Sequence, residues 1–233
     1  MIGIHSEMNA THRCTLAQTA PDNCEAASLA EWRMRFWTAD LHLSHTRILE
    51  LCPLRPWADL EAMNRGLVER WNQTVGPEDE VWVIGDFAMG RIRETLRRVP
   101  EFHGKKILVP GNHDRCSPAY PHKKDRVEDW ESYYLEAGFW AIRPPGPEEI
   151  AGVPCNVNHF PYPDTADDRY GERFDAFRPV DDGRPLIHGH VHSAWKTKGR
   201  MVNVGVDVWD FRPVAETVLA DVLGSGTARD DRI

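Results

Sequence analysis

The chain has 233 residues, 41% of them hydrophobic, which suits one large α/β domain or two small ones. No apolar run reaches the roughly 18 residues of a membrane span, and the first thirty residues lack the basic-then-apolar order of a secretory signal. Five irregularly spaced cysteines argue against a disulfide framework and fit a reducing cytoplasm, while a net charge of −8 argues against strong non-specific binding to nucleic acid.

Residues 1–33 are polar and Ala/Thr-rich without a sustained period, and are expected to form a poorly ordered extension, with Met34 a candidate start. Phe36-Trp37-Thr38-Ala39 then reads as a strand ending at Asp40. Over 57–75, Trp57, Leu60, Leu67, Val68, Trp71 and Val75 fall on one helical stripe. Val81-Trp82-Val83-Ile84 is a continuous apolar run, as expected of a strand covered on both faces. Ile92, Leu96 and Val99 predict a short helix with Arg91, Arg93, Arg97 and Arg98 on its solvent side, and Ile107-Leu108-Val109 a third strand. A helix near 126–137 precedes a Pro- and Gly-rich loop at 143–154. Strands are expected at 139–142, 153–158, 185–188 and 201–209, then a last helix near 213–223 and a tail from 225. Alternating strands and helices followed by strands suggest two packed sheets with helices outside, over a domain spanning 34–224.

Five short blocks punctuate this pattern: Asp40-Leu41-His42, Gly85-Asp86, Gly111-Asn112-His113-Asp114, His159 and Gly189-His190-Val191-His192. Three follow directly on predicted strands, the edge where turns of an α/β sheet converge on one crevice. Gly85, Gly111 and Gly189 allow close backbone approach there. With His113 set aside, the blocks offer two carboxylates, four imidazoles and one amide. Seven donors are too many for one cation that keeps a water, and suit two cations sharing a carboxylate. Asp86, with no adjacent donor, is the natural bridge. Such paired cations hold a hydroxide and clamp both oxygens of an in-line displacement at phosphorus. His113 is then free to act on the leaving oxygen as a general acid. Two cations would also reverse the local sign of an acidic pocket, so the negative net charge permits a phosphorylated substrate.

The ordered set DxH, GD, GNH[D/E], H, GHxH resembles the signature of calcineurin-like metallophosphoesterases, and all five blocks are intact over 36–192. The resemblance implies a two-sheet sandwich flanked by helices. It further implies that Asp40, His42, Asp86 and His192 bind one metal, that Asp86, Asn112, His159 and His190 bind the other, and that His113 donates the proton. Trp37–His45, Trp71-Asn72 and Trp209–Pro213 look closest to small bacterial and phage members of that family. Where its protein phosphatases carry an Asp and an Arg after the GD, Phe87-Ala88-Met89-Gly90 follows here. Protein phosphatase activity is therefore in doubt, and the carboxylate partner of His113 is unidentified, with Asp114 adjacent to it.

Mn²⁺ is the leading candidate metal, with Fe, Zn, Co and Ni alternatives for a donor set of imidazole and oxygen. The substrate class is a phosphodiester or phosphomonoester, nucleotide-like. A nuclease is the first alternative, and a protein-binding scaffold, which tends to lose ligands, the second. His45 and Asn112 are candidate contacts for substrate phosphate. The run His122–Arg126, with Arg169 and Arg173, could steer an anion or form a solvated face. Tyr162 and Tyr170 could stack on a base or cover the core edge. His188 and Trp209 read as structural neighbours, and no ligand position calls for Cys116.

Overall fold

A computed structural model of the chain describes residues 33–121, 129–163 and 171–225. The expected N-terminal extension apart from Arg33, the tail beyond Ser225, the run His122–Arg126, Arg169 and Tyr170 lie outside those residues.

Strands β1 (Arg35–Thr38), β2 (Glu80–Val83), β3 (Lys105–Leu108) and β4 (Ala141–Ile142) run parallel, with Phe36 opposite Val81 and Trp82 opposite Ile107. Strands β5 (Gly146–Ile150) and β6 (Val153–Val157) form a hairpin that starts a second sheet. β7 (Leu186–His188), β8 (Thr197–Lys198) and β9 (Met201–Asn203) complete it in the order β5-β6-β7-β9-β8. The two-residue β10 (Val214–Ala215) returns to the first sheet, antiparallel to β1.

Side-chain alternation explains why the apolar runs are continuous. Trp37, Trp82, Ile84, Ile107 and Val109 point toward the second sheet, where they pack with Ile150, Val157, Ile187, Val202 and Val204. Trp37 and Trp82 stack with centroids 5.1 Å apart. Phe36, Val81, Val83 and Leu108 point the other way, into a cluster with Met63, Leu67, Trp71, Trp130 and Tyr134. Those last five come from the helices α2 (Leu60–Asn72) and α4 (Trp130–Ala137). Shorter helices α1 (Ile48–Leu51) and α3 (Ile92–Thr95) contribute Ile48 and Ile92 to the same side, and α5 (Glu216–Gly224) places Leu219 in the intersheet core. No helix among the described residues is long and apolar enough to cross a membrane.

Several boundaries shift for local reasons. The helix expected from 57 starts at Leu60 because the Asp59 carboxylate accepts the Ala62 N–H at 2.8 Å, an N-cap. The helix expected from 126 starts at Trp130 behind Asp129, which caps Ser132. The one expected over 92–99 is α-helical only to Thr95 and continues as a 3₁₀ segment to Glu101, with Pro100 inside it. The expected loop at 143–154 holds strand β5, so Pro and Gly there mark a hairpin rather than its absence. The strand expected over 201–209 stops at Asn203, and 206–208 form a 3₁₀ turn.

Gly66 in α2 lies under the Trp57 indole, where an added Cβ would come within 2.1 Å of Nε1. That indole is held from its other sides by Phe211 at 4.9 Å and the Arg70 guanidinium at 5.6 Å. Alanine usually favours a helix interior over glycine by about 0.5–1 kcal/mol. Here Gly66→Ala should instead lower the urea midpoint. An unchanged or raised midpoint would mean that Trp57 is free to move.

Candidate metal centre

The first three blocks sit two to six residues beyond the ends of β1, β2 and β3, and backbone hydrogen bonds lace them together. Asp40 N–H donates to Gly85 O at 3.1 Å and His42 N–H to Asp86 O at 3.0 Å. Gly85, with φ +83°, and Gly111 lie back to back: a Cβ on Gly85 would come within 2.6 Å of the Gly111 backbone. A Cβ on Gly111 would in turn strike Asp86 Oδ1 at 2.3 Å. Close approach, as the sequence suggested, is what these glycines allow.

Five of the seven expected donor residues adopt the left-handed backbone region. φ is 58° at Asp40, 52° at His42, 57° at Asp86, 73° at His190 and 52° at His192. Such conformations cost of order 1–3 kcal/mol each for non-glycine residues and persist only where the surroundings impose them. Here the imposing groups are specific. Arg55 donates to Asp40 O at 2.7 Å and Leu41 O at 2.9 Å. Asn203 donates to the carbonyls of His192 at 2.7 Å and Trp195 at 2.9 Å. Asp114, completely buried, accepts the N–H groups of Asp86 at 2.8 Å, Gly111 at 2.9 Å and Phe87 at 3.2 Å. It therefore braces the turns instead of pairing with the His113 ring.

The side chains converge. Donor atoms of Asp40, His42 and His192 lie within 4.8 Å of one another, as do those of Asp40, Asp86 and His159, and those of His42, Asp86 and His113. Asn112 Oδ1 is 3.2 Å from His159 Nε2. His190 stands edge-on to His159 with centroids 5.2 Å apart, and its N–H donates to Asp40 Oδ2 at 2.9 Å. All seven expected ligands are thus brought to one place. His113 borders them with a third of its side chain exposed, its Nε2 3.9 Å from Asp86 Oδ2. His45 packs between His42 and His113 at centroid distances of 5.3 and 6.2 Å. A cavity of about 260 Å³ opens over them, lined by His45, Asn112, His113, His190 and His192 among others.

The donor set fits divalent cations on its own chemistry. Asp40 Oδ1 and His42 Nε2 are buried without a hydrogen-bond partner and face each other at 4.0 Å. His159 Nδ1 donates to Ile84 O at 2.8 Å, which leaves Nε2 turned toward two acceptors, Asn112 Oδ1 and, at 3.4 Å, Asp86 Oδ2. Something positive belongs between such atoms, either a proton or a metal. Burial depresses His159, yet the Asp86 carboxylate outweighs it and lifts the imidazole to about 9. Burial also lifts Asp40 to about 6, against the pull of His192 and His159. Burial keeps His42 well below the usual histidine range despite the nearby Asp86 carboxylate.

A supporting layer was not legible in the blocks. His192 Nδ1 is held by Asp207 at 3.1 Å, which fixes Nε2 toward the site, and Cys52 Sγ lies 3.4 Å from the same nitrogen. Asp207 is locked in turn by both arms of Arg55, at 2.8 and 2.9 Å. Burial opposes its charge, but Arg55 and His192 bring it down to about 2. This carboxylate–histidine arrangement is the one that orients metal-bound imidazoles. By contrast, Tyr162 is buried and bonded to Asn156 and Arg184 O, His188 bonds Gly189 O and packs on Trp195, and Trp209 bonds Asn203 O; all three are structural.

Protons and cations compete for these atoms, so metal uptake should release protons. With His159 at about 9 and Asp40 at about 6, the apparent Mn²⁺ affinity should rise as pH increases between those values. Titrations in buffers of different ionisation enthalpy would measure this, and a pH-independent affinity would contradict it. Asp207→Asn should weaken metal binding by about 10–100-fold through loss of His192 orientation, with the fold retained by circular dichroism.

Comparison with known proteins agrees with the site. The family model for calcineurin-like phosphoesterases matches residues 36–208. The gene 66 proteins of Mycobacterium phages D29 and L5 are 35% and 31% identical, over 78% and 75% of this chain and 92% and 86% of theirs. A solved structure of a protein of unknown function from Aquifex aeolicus superposes with a TM-score of 0.58 at 27% identity, covering 82% of this chain and 99% of that one. The chain belongs to the calcineurin-like phosphoesterase family.

Proposed function

We propose that the protein is a dinuclear metal-dependent phosphoester hydrolase acting on a nucleotide-like phosphodiester or phosphomonoester in the cytoplasm. The observation that carries this reading is the pair of adjoining donor clusters that share Asp86, beneath a cavity lined by His113, whose side chain is a third exposed. Asp40, His42, Asp86 and His192 would hold one cation, and Asp86, Asn112, His159 and His190 the other. When bound, the cations supply an activated water at neutral pH and neutralise charge developing on the phosphoryl oxygens.

The protein's own groups do the rest. Asp207 and Ile84 O fix the tautomers of His192 and His159, so that both rings present Nε2 inward. His45 and Asn112 line the cavity where phosphate would sit. His113 is anchored by its N–H to Asp86 Oδ1 at 2.8 Å, which sets its ring over the same carboxylate. From there Nε2 protonates the departing oxygen. Burial lowers the His113 pKa, so its protonated form is held in smaller supply as pH rises. Turnover should accordingly fall on the alkaline side through loss of the acid.

Metal-stripped protein refilled with Mn²⁺ should hydrolyse bis-p-nitrophenyl phosphate or p-nitrophenyl phosphate, and the preferred one identifies the diesterase or monoesterase. His113→Ala should lower kcat by about 10²–10⁴-fold while keeping its metal. Loss of metal in that variant would make His113 a ligand instead.

A further inference from the structure

The metal cavity does not end at His113. His113, Pro121 and Arg173 also line a second hollow of about 290 Å³, together with Met89, Gly90, Arg115 and Tyr120. Beyond Gly90 and Arg115 the surface continues as an open recess bounded by Arg91, Arg93 and Trp130. The route out of the site past the proposed proton donor is therefore lined by four arginines, in a chain whose net charge is −8.

Aromatic rings place two of these arginines. The Arg115 guanidinium lies over Trp130 at 4.9 Å and over Tyr120 at 5.6 Å. Arg93 lies over Tyr133 at 4.5 Å and over Trp130 at 5.7 Å. Trp130 is 5% exposed, so its faces serve the guanidiniums and not a ligand base. Stacking orients the planar fork, whose N–H edges suit bidentate contact with phosphate. Glu94, among the described residues lining the recess, pairs with Arg91 at 3.4 Å.

A leaving oxygen protonated by His113 departs on the side of this groove. We propose that the groove holds a leaving group which itself carries a further phosphate, so that the substrate is a phosphodiester within a short single-stranded oligonucleotide. The inference rests on the hydrolase reading above. In the reaction water adds to phosphorus, the bond to the leaving oxygen breaks, and the proton from His113 goes to that oxygen. The next phosphate along the strand meets Arg115 and Arg173. Contact is confined to one or two phosphates, which agrees with a net charge of −8.

The test compares the Mn²⁺-loaded full chain on four substrates: bis-p-nitrophenyl phosphate, the dithymidine monophosphate TpT, and the same dinucleotide with an added 5′- or 3′-terminal phosphate. One of the phosphorylated dinucleotides should exceed TpT by about tenfold or more in kcat/KM, as expected for a charge-assisted contact. That advantage should shrink with added salt. Arg115→Ala should reduce the ratio of phosphorylated to unphosphorylated dinucleotide toward one, and Arg115→Lys should restore part of it. Equal kcat/KM for all three dinucleotides, or a ratio unmoved in Arg115→Ala, would overturn the groove assignment while hydrolysis of the chromogenic diester still upholds the hydrolase. Hydrolysis of none of the four would overturn both.

Discussion

A carboxylate buried among imidazoles governs this structure. One oxygen of Asp86 faces the Nε2 atoms of His159 at 3.4 Å, His42 at 3.6 Å and His113 at 3.9 Å, and the residue is 1% exposed. A buried charge of this kind is costly unless matched. Burial would raise its pKa, but His159 and His113 hold it well below the usual carboxylate range. Without cations, a proton on His159 does most of the matching, since burial keeps His42 and His113 below the usual histidine range. Asp40 and His159 both rise, but for different reasons: burial disfavours the Asp40 charge, while the Asp86 carboxylate favours the charged His159.

Holding so many polar side chains at one point strains the backbone, and the fold is arranged to bear that strain. Five donors sit at positive φ. Parallel strands β1, β2 and β3, packed on both faces, fix the start of each turn. Asp114, Arg55 and Asn203 then fix the turns themselves by bonding backbone groups. Arg55 joins the two tasks, since it holds Asp40 O and Leu41 O while neutralising the Asp207 that orients His192. Removing Asp207 alone would leave a guanidinium buried beside the site; removing Arg55 alone would leave a carboxylate there. Buried pairs of this kind are far costlier to break than to replace.

Much of this was legible in the sequence because it follows from periodicity and residue chemistry. The apolar runs at 36–39, 81–84 and 107–109 located the central strands, and the donor blocks behind them name the side chains that converge at the candidate site. The parts that were not legible depend on tertiary placement. Asp207 lies in Val206-Asp207-Val208, which alternates like a strand, and only the turn at Gly205 brings it against His192. Arg55 stands in a loop with no motif around it. Asp114 was visible beside His113, but its direction, toward three N–H donors, is set by the Gly111 turn. The two-residue strands β4, β8 and β10 are too short to carry a period. The Pro-containing strand β5 reads as a loop until it is seen pairing with β6.

In the proposed centre, Asp86 joins two cations. Elemental analysis of metal bound to the wild type and to Asp86→Ala, after identical stripping and reloading with Mn²⁺, tests it most directly. Two equivalents per chain are expected in the wild type and loss of both in the variant, with both proteins folded by circular dichroism. Two equivalents retained by Asp86→Ala would contradict it.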